Sequence, residues 1–479
     1  AAIRGDRPER RRSQAMVVVS TPDVPAEVSH DPWTDQNSGM AGSPQDRSSA
    51  QRSGDIDRNG SGRETARDLC AYVDASPSPY HAVAETARRL ISAGFTEVDL
   101  DAPVTPPGRH FLRSGGALIA WVDDEQPANV PLRIVGAHTD SPNLRVKPRP
   151  DRGDHGFQRV GVEVYGGVLL NSWLDRELGL SGRVVVRDGG ALAGRTVLVR
   201  DDRPLARIPQ LAVHLDPGVN EKGLVLDPQD DLAPVTGLGD QDSGAFQRSM
   251  ATLAGVDVDD VLAWDIMFHD VAPSCLTGPD EEFVSAPRLD DLLSCHAGTE
   301  ALIEAAEGKG PCLPVLALFD HEEVGSETAT GAAGPLLHRT LRRHLGLSDR
   351  PLEGSLVLSV DGAHGTHPSR GHRHDPEHPV RLNGGPVLKA NARARYATDA
   401  PGVALVRLAA ERAGVPLQTF VSRNDMPCGS TIGPITAART GLRTVDLGVA
   451  QLAMHSAREF CGSRDPAALH GLLSELLSS

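Results

Sequence analysis

The sequence predicts an α/β fold in which helices cover a mixed, largely parallel sheet, with a β-rich segment inserted into it. Two observations support this class. Apolar runs of strand length alternate with helical patterns over residues 64–150 and again after residue 285, which is typical of a sheet with helices on both faces. Residues 151–275 differ, because their strand-like runs are separated by Gly, Pro and Asp turns and few helical patterns occur.

Composition argues against two classes of partner. The chain has 479 residues and a net charge of −16, from 48 basic and 64 acidic residues. Nucleic acids and anionic membranes both attract basic surfaces, so we expect neither as a partner. No apolar run reaches 18 residues, so no membrane-spanning helix is predicted. Six scattered cysteines without a C-x-x-C pair favour reduced thiols and a cytoplasmic location.

The chain divides into three predicted parts. Residues 1–62 are rich in Ser, Arg, Asp, Gly and Gln, so we expect a disordered N-terminal extension. Residues 63–150 and 276–479 are expected to form one domain around the parallel sheet. Residues 151–275 are expected to form a β-rich subdomain inserted into that domain.

Individual elements follow from capping residues and apolar spacing. Ser78 is placed to cap a helix that starts at Pro79 and ends at Gly94. Asp465 is placed to cap a closing helix, and His455 is expected on a short helical stretch. The other predicted helices cover 292–307, 336–345 and 401–413. The predicted strands cover 117–122, 132–135, 160–165, 183–186, 196–200, 313–319, 356–360 and 444–447.

Carboxylates follow several of these strands. Asp140, Asp320 and Asp361 lie at or just beyond predicted strand ends, and ligands of open α/β sheets bind at that edge. After the apolar run 315–319, Glu322 and Glu323 add two more carboxylates, which cost free energy beside a buried strand unless a cation neutralises them. The two glutamates point in different directions, so one can bind a metal ion while the other transfers protons. A charged, solvated turn is the alternative for this stretch alone.

Other candidate metal ligands recur along the chain. His138 is followed by Asp140, a pattern that suits a ligand histidine oriented by a carboxylate. Asp290 starts a predicted helix, where it could instead act as a cap. Together, two histidines and three carboxylates form one candidate ligand set: His138, Asp290, Glu323, Asp361 and His455. This number fits two zinc-like ions that share a carboxylate better than one four-ligand site, and it leaves Glu322 free as a base.

Several sequence blocks resemble the M18 metallopeptidases, the aspartyl aminopeptidases, and they span nearly all of the chain after residue 63. The blocks are GAHTDSP at 136–142, YGG and NSWLDRELGLSGRV within 165–184, IPQLAVHL at 208–215, APRLD at 286–290, FDHEEVGSE at 319–327, SVDGAHGTHP at 359–368, GPVLKAN at 385–391, RNDMPCGSTIGP at 423–434 and DLGVAQLAMHSARE at 446–459.

This resemblance implies a fold of the dizinc exopeptidase type and a role for each part of the chain. Residues 63–150 and 276–479 would be the metallopeptidase catalytic domain, and 151–275 an oligomerisation and substrate-gating domain. The ligand set would bind two Zn²⁺ ions per subunit, with Asp290 bridging them and Asp140 supporting His138. Glu322 would be the general base. Co²⁺ or Mn²⁺ could replace zinc, since these ligands accept all three metals.

The resemblance also implies a substrate and an assembly. The family releases N-terminal Asp or Glu from short peptides and forms a homo-oligomer, a tetrahedral dodecamer. His364 and Lys389 match positions that contact the substrate. His214 matches a histidine that reaches the substrate across a subunit interface, or alternatively one associated with the metal. Two positions depart from the family pattern: Asp291 replaces an expected asparagine, and Met426 an expected threonine.

Alternatives remain at the level of the sequence. The chain could be a scaffold without chemistry, although the complete ligand set and base argue against that. It could be another dimetal hydrolase, such as a deacylase of N-acyl amino acids. Cys428 could be a nucleophile, but a metal site already supplies one. The His-rich loop 362–379 could hold metal, although we expect a solvated loop there except at His364 and His367.

Overall fold

The computed structural model describes residues 49–103, 106–123, 130–190, 192, 194–346 and 353–479. Residues 1–48 of the predicted N-terminal extension lie outside this part of the chain, and residues 52–479 form one compact unit. Helix α1 (Ser49–Ala75) begins upstream of the boundary predicted at residue 63. No helix among the described residues is long and apolar enough to cross a membrane.

The N-terminal part supplies a second helix and four strands of the main sheet. Helix α2 (Pro79–Ser92) begins as predicted, because the Ser78 side chain accepts a hydrogen bond from the His81 backbone N–H and proline occupies the first turn. The strands are β1 (Thr96–Glu97), β2 (Gly108–Ser114), β3 (Ala117–Asp123) and β4 (Leu132–His138).

The next segment forms a separate antiparallel sheet with its own apolar core. Its elements are β5 (Asn143–Asp154), β6 (Phe157–Tyr165), β7 (Leu178–Val186), β8 (Arg195–Ala206), α3 (Val219–Lys222), β9 (Val235–Leu238), α4 (Ala245–Ala254) and β10 (Val261–Asp270). The six strands lie in the order β8-β7-β10-β5-β6-β9. Phe246 and Met250 of α4 are buried in the same cluster as Val184 and Phe268 of the sheet.

The chain then returns to the main sheet. The remaining elements are β11 (Cys275–Thr277), β12 (Phe283–Ala286), α5 (Leu289–Ala305), β13 (Leu313–Phe319), α6 (Leu336–His344), β14 (Leu356–Val360), β15 (Ala363–His364), β16 (Val387–Ala390), α7 (Ala400–Ala413), β17 (Gln418–Val421), α8 (Ile432–Thr440), β18 (Arg443–Gly448), β19 (Ala450–Leu452), β20 (Glu459–Gly462) and α9 (Asp465–Ser478). The apolar runs 313–319 and 356–360 are strands β13 and β14, with the bounds predicted.

The main sheet is mixed and its centre is parallel, which confirms the predicted fold class. Its nine strands lie in the order β1-β2-β3-β13-β4-β14-β18-β16-β17, and β13, β4, β14 and β18 pair in parallel. Strand β3 pairs antiparallel with β13, and β16 pairs antiparallel with β18. The four parallel strands therefore end at the same edge, which brings the residues after them together.

Both faces of this sheet are covered, as the continuous apolar strands require. Along β3, Leu118 and Ala120 belong to the apolar cluster that includes α5 and α9, whereas Ile119 and Trp121 belong to the cluster on the opposite face. The second cluster includes the apolar side of α6, such as Leu341. Burial on both faces fixes the positions of the strand ends.

A third, five-stranded sheet lies in the order β11-β12-β20-β19-β15. Two local predictions are wrong. Around His455 the chain forms a turn between β19 and β20 rather than a helical stretch. The Asp465 side chain makes no capping hydrogen bond to α9; its carboxylate instead accepts hydrogen bonds from the backbone N–H groups of Asn383 and Gly385, at 2.6 Å and 2.9 Å.

Candidate metal centre

The edge at which β4, β13 and β14 end carries most of the candidate ligands. His138 is the last residue of β4 and pairs in register with Phe319, the last residue of β13. Glu322 and Glu323 follow in a short 3₁₀ helix. Asp361 follows β14 directly. The parallel register therefore brings together side chains that are about 180 and 220 residues apart in sequence.

Asp290 reaches this edge from the start of α5. Residues 290 and 291 depart from helical backbone geometry inside the first turn of that helix. The Asp290 carbonyl accepts a hydrogen bond from the Ser141 hydroxyl at 2.8 Å, and its N–H donates to the Glu459 carboxylate at 2.8 Å. The backbone is thus held on both sides, and the carboxylate is not used to cap the helix.

His455 completes the group from the turn between β19 and β20. Its φ of +66° lies in the left-handed region, and its backbone N–H donates to Glu459 at 2.6 Å. Ring atom Nδ1 donates to the Gly167 carbonyl at 3.0 Å, so Nε2 is the nitrogen that can bind a metal ion when the ring is neutral. Nε2 lies 3.6 Å from an Asp290 oxygen and 3.5 Å from a Glu323 oxygen.

The five predicted ligands form two groups that share one residue. His138, Asp290 and Asp361 form the first group, and Asp290, Glu323 and His455 form the second. In each group the candidate ligand atoms lie within 4.8 Å of one another. Within the first, His138 Nε2 is 3.2 Å from Asp290 and 3.9 Å from Asp361.

The donor set fits metal ions because it leaves buried carboxylate oxygens without partners. Asp290 Oδ1 and Glu323 Oε1 are buried and accept no hydrogen bond. Unpaired buried carboxylate oxygens are costly, and a dication satisfies them. Mixed imidazole and carboxylate ligands are those that zinc uses in catalytic sites.

The pKa values of the candidate ligands are shifted by burial and by the neighbouring carboxylates. Burial alone would lower the pKa of His138, but the facing carboxylates of Asp140, Asp290 and Asp361 raise it well above its usual value. Burial, and then the Asp290 charge, raise the pKa of Glu323 well above its usual value. Bound cations would lower the pKa values of these carboxyl groups and of His138, and so keep the carboxylates ionised and the imidazole neutral.

Asp140 is fully buried and links His138 to the segment that carries Glu322 and Glu323. Its carboxylate accepts hydrogen bonds from the backbone N–H groups of Glu322 at 3.0 Å and Glu323 at 3.1 Å, and from the Tyr165 hydroxyl at 2.7 Å. His138 Nδ1 donates to the Asp140 backbone carbonyl at 3.0 Å, while the nearer carboxylate oxygen is 3.6 Å away. The contact that orients His138 therefore runs chiefly through the Asp140 backbone.

Glu322 lies beside the two groups and belongs to neither. One of its oxygens lies within 4.8 Å of candidate ligand atoms of His138 and Glu323. Burial raises its pKa to about 7, with smaller contributions in the same direction from nearby carboxylates. A carboxylate with a pKa near neutrality is well suited to accept and return a proton.

Lys389 and His364 lie at the side of the centre. The Lys389 side chain on β16 is buried, and its Nζ lies 3.5 Å from an Asp361 oxygen and 5.6 Å from the ring centre of Tyr396. His364 on β15 keeps some exposure, and its ring meets Phe420 edge-on at 5.9 Å. Contact of these two residues with a substrate stays a prediction.

His214 is placed differently. It lies in the exposed stretch between β8 and α3, and no hydrogen bond or ion pair joins it to the metal centre within the described part of the chain. Its role near the substrate therefore stays a prediction that requires a second copy of the chain.

Three residues that support the site had no assigned role in the sequence. Glu459 accepts hydrogen bonds from the backbones of both Asp290 and His455, and Tyr165 from the inserted sheet holds Asp140. Asp291 is fully buried and accepts a hydrogen bond from the His138 backbone N–H at 3.1 Å. The only sequence signal was that all three lie inside the blocks with a family resemblance or next to one.

A second group of side chains also has the spacing of metal ligands. Asp68, His296 and Glu300 bring candidate ligand atoms within 4.8 Å of one another. Arg89 lies among them, with guanidinium nitrogens 2.6 Å from Asp68 and 2.7 Å from Glu300. His296 Nε2 lies 2.7 Å from Asp68. Here a protein cation already neutralises the carboxylates.

The sheet edge, its ligand groups and the adjacent carboxylate define a metal-dependent hydrolase. A family model described as Aminopeptidase I zinc metalloprotease (M18) matches residues 72–476. The chain therefore belongs to the M18 family and is a zinc metalloaminopeptidase. This finding confirms the resemblance inferred from the sequence blocks.

Two relatives are similar over most of the chain, and both are named Probable M18 family aminopeptidase 2. The Streptomyces coelicolor protein is 53% identical over 422 residues, which cover 86% of this chain and 96% of that protein. The Mycobacterium tuberculosis protein is 49% identical over 430 residues, which cover 87% of this chain and 98% of that protein.

Solved structures are similar in fold. A cryo-EM structure of the Ape4 and Nbr1 complex has a TM-score of 0.84 and 34% identity, covering 88% of this chain and 86% of that chain. A crystal structure of prApe1 has a TM-score of 0.81 and 29% identity, covering 89% and 97%. The dodecamer of S. cerevisiae mApe1 has a TM-score of 0.75 and 29% identity, covering 86% and 96%.

Proposed function

We propose that this chain is a dinuclear zinc aminopeptidase that releases N-terminal Asp or Glu from short peptides. The observation that carries the dinuclear proposal is that Asp290 belongs to both ligand groups. His138 and Asp361 would hold one ion with Asp290, and Glu323 and His455 would hold the other. Two ions that share a carboxylate are typical of dimetal hydrolases.

The chemistry divides between the metal and the protein. The zinc ions that these five residues would hold would supply a water of lowered pKa and a Lewis acid for the peptide carbonyl. Glu322 accepts the proton of the attacking water and returns it to the leaving amine. Its position beside His138 and Glu323, outside both ligand groups, supports this role. Asp140 contributes by fixing the backbone N–H groups of both glutamates.

Lys389 supports the proposed preference for acidic N-terminal residues. A substrate carboxylate entering a group of protein carboxylates is repelled unless a cation lies nearby. The ammonium of Lys389 lies beside Asp361 at 3.5 Å and provides a point positive charge there. His364 is the second proposed substrate contact, since its exposed ring lies on the neighbouring sheet.

The exposed apolar stretch around His214 supports a homo-oligomer. Leu211, Val213 and Leu215 are 63%, 49% and 73% exposed, and Val225 is 88% exposed. Exposed large apolar side chains close together in sequence are typical of surfaces that bind another protein chain. We propose that a neighbouring copy covers this stretch and that His214 thereby reaches the neighbour's substrate. The dodecamer of the similar mApe1 is the proposed assembly. A stable monomer in size-exclusion chromatography would contradict it.

Metal analysis combined with substrate profiling tests the function. We expect about two zinc ions per chain and cleavage of Asp- and Glu-anilides but not of Leu- or Lys-anilides. One zinc per chain would contradict the dinuclear site, and equal cleavage of all four anilides would contradict the acidic preference. Hydrolysis of N-acyl amino acids without peptide cleavage would identify a deacylase instead. Co²⁺ and Mn²⁺ should restore activity to the metal-depleted enzyme.

A further inference from the structure

A cavity of about 510 Å³ lies beside the end of β16 and is lined by residues from 390–395 and 421–428. Three of its lining residues are arginines, Arg393, Arg395 and Arg423, and none is acidic. The whole chain carries a net charge of −16. Asp425 compensates one of these charges, since it pairs with Arg423 at 2.6 Å, and the other two leave a local excess of positive charge, which attracts anions.

The three arginines differ in their existing partners. Arg423 is paired with Asp425 at 2.6 Å and donates to the His372 carbonyl at 2.7 Å. Arg393 and Arg395 are exposed, and their guanidinium groups form no ion pair with any described residue. Because an arginine can donate two parallel hydrogen bonds to a carboxylate, these two side chains are available for an anionic ligand.

Lys389 and Tyr396 connect the cavity to the metal centre. Lys389 reaches Asp361 at 3.5 Å, and the next residue, Ala390, lines the cavity. The Tyr396 ring lies 5.6 Å from the Lys389 ammonium, and the residue before it, Arg395, lines the cavity. The cavity is thus close to the centre, and an extended peptide spans about 3.3–3.6 Å per residue.

We propose that Arg393 and Arg395 form a carboxylate-binding subsite for the part of a peptide substrate that follows its first residue. This inference rests on the proposed aminopeptidase function. The carboxylate has two possible sources with the same chemistry, the C-terminus of a short peptide or an acidic side chain beyond the first residue. Lys389 binds the side-chain carboxylate of the first residue, and the two arginines bind a second carboxylate further along the peptide.

Three peptides separate these sources. Asp-Ala-Ala carries a C-terminal carboxylate, its C-terminal amide carries none, and the amide of Asp-Ala-Glu carries only a side-chain carboxylate. We expect the double variant Arg393→Ala/Arg395→Ala to raise KM about tenfold for at least one carboxylate-bearing peptide, with kcat little changed. The KM of the neutral amide should not change. Replacement of both arginines by lysine should raise KM less than replacement by alanine. Added salt should raise the KM of the native enzyme for the carboxylate-bearing peptide.

Arg407→Ala is the matched control, because Arg407 is an exposed arginine on α7 that lies outside the cavity. An equal rise of KM for all three peptides, or no rise in the double variant, would overturn the subsite. Equal KM values of the native enzyme for Asp-Ala-Ala, its amide and the amide of Asp-Ala-Glu would also overturn the subsite. The proposed aminopeptidase function would remain intact in that case. A native enzyme that cleaves none of the three would contradict the proposed function itself.

Discussion

The Asp68–His296–Glu300 group and the His138–Asp290–Asp361 group each bring one histidine and two carboxylates within 4.8 Å, yet they differ in what neutralises the carboxylates. In the first, Arg89 lies between Asp68 and Glu300. In the second, a buried oxygen of Asp290 accepts no hydrogen bond. Lys389 pairs with only one carboxylate of the second group, Asp361, at 3.5 Å. Ligand spacing therefore does not define a metal site by itself, because some of the carboxylate charge must also be left without a protein cation.

The two groups also differ in burial. Asp68 retains 47% of its side-chain exposure, whereas Asp290 is almost fully buried. Water screens the first group, so its charges cost little even when they are imperfectly paired. The second group is shielded from water, so its charges require either protons or cations. Four sets of variants can test this comparison.

The largest effect is expected from removing the shared carboxylate. Asp290→Asn should lose both zinc ions together with activity, because Asp290 belongs to both ligand groups. Asp68→Asn is the matched control and should keep both metal and activity. Zinc per chain, measured by mass spectrometry of metals, checks both variants. Retention of full zinc by Asp290→Asn would show that the ions are held elsewhere.

Removing the proton carrier should strongly reduce turnover while metal binding persists. Glu322→Gln should lower kcat by a factor of about 10²–10⁴, which is the usual contribution of a general base. Zinc content should stay unchanged, because the ligand groups do not require Glu322. Glu327→Gln makes the same change at an exposed position on the same loop and should leave kcat as it is. Full activity of Glu322→Gln would remove its assignment as the base.

A smaller effect is expected from the hydrogen bond that the inserted sheet makes to the centre. Tyr165→Phe removes the hydroxyl that holds Asp140 at 2.7 Å, and should weaken zinc affinity by about 10–100-fold, measured by chelator competition. Tyr72→Phe removes an equally short buried hydrogen bond, to Thr86, which joins α1 to α2 and does not involve a candidate metal ligand. It should reduce stability without changing zinc affinity. Equal zinc affinity in the two variants would show that Tyr165 has only a structural role.

The smallest effect is expected at the group neutralised by Arg89. Arg89→Met should lower the free energy of unfolding by about 1–2 kcal/mol, because the partly buried carboxylates of Asp68, Glu85 and Glu300 lose their partner. Zinc content and activity should stay unchanged. His296 first, and then Arg89, hold the pKa of Asp68 below its usual value. The stability contributed by ionised Asp68 is therefore present near neutral pH and is lost as the pH falls below about 4.

The difference between native and Arg89→Met unfolding free energies should accordingly shrink on acidification. Urea unfolding at pH 7 and at about pH 3.5 measures it. A difference that grows at low pH would show that the stabilisation by Arg89 does not depend on ionised Asp68.

The sequence predicted the fold class and the ligand set for reasons that are local. The apolar runs of β13 and β14 gave their bounds because a strand buried on both faces must be apolar throughout. Carboxylates directly after such strands were informative because they are costly there without a cation. The prediction failed around His455, since its turn depends on hydrogen bonds to Glu459 and Gly167 rather than on local propensity.

By itself the sequence determined the central parallel strands β4, β13, β14 and β18, the side chains that follow them, and the family to which the blocks are similar. Only the tertiary structure decided that Asp290 lies between two ligand groups, and that Arg89 neutralises the second histidine-carboxylate group. It also decided that Tyr165 and Gly167 of the inserted region support the centre. The physical reason is that charge compensation depends on distances between residues far apart in sequence, and those distances are fixed only when the sheets and helices pack.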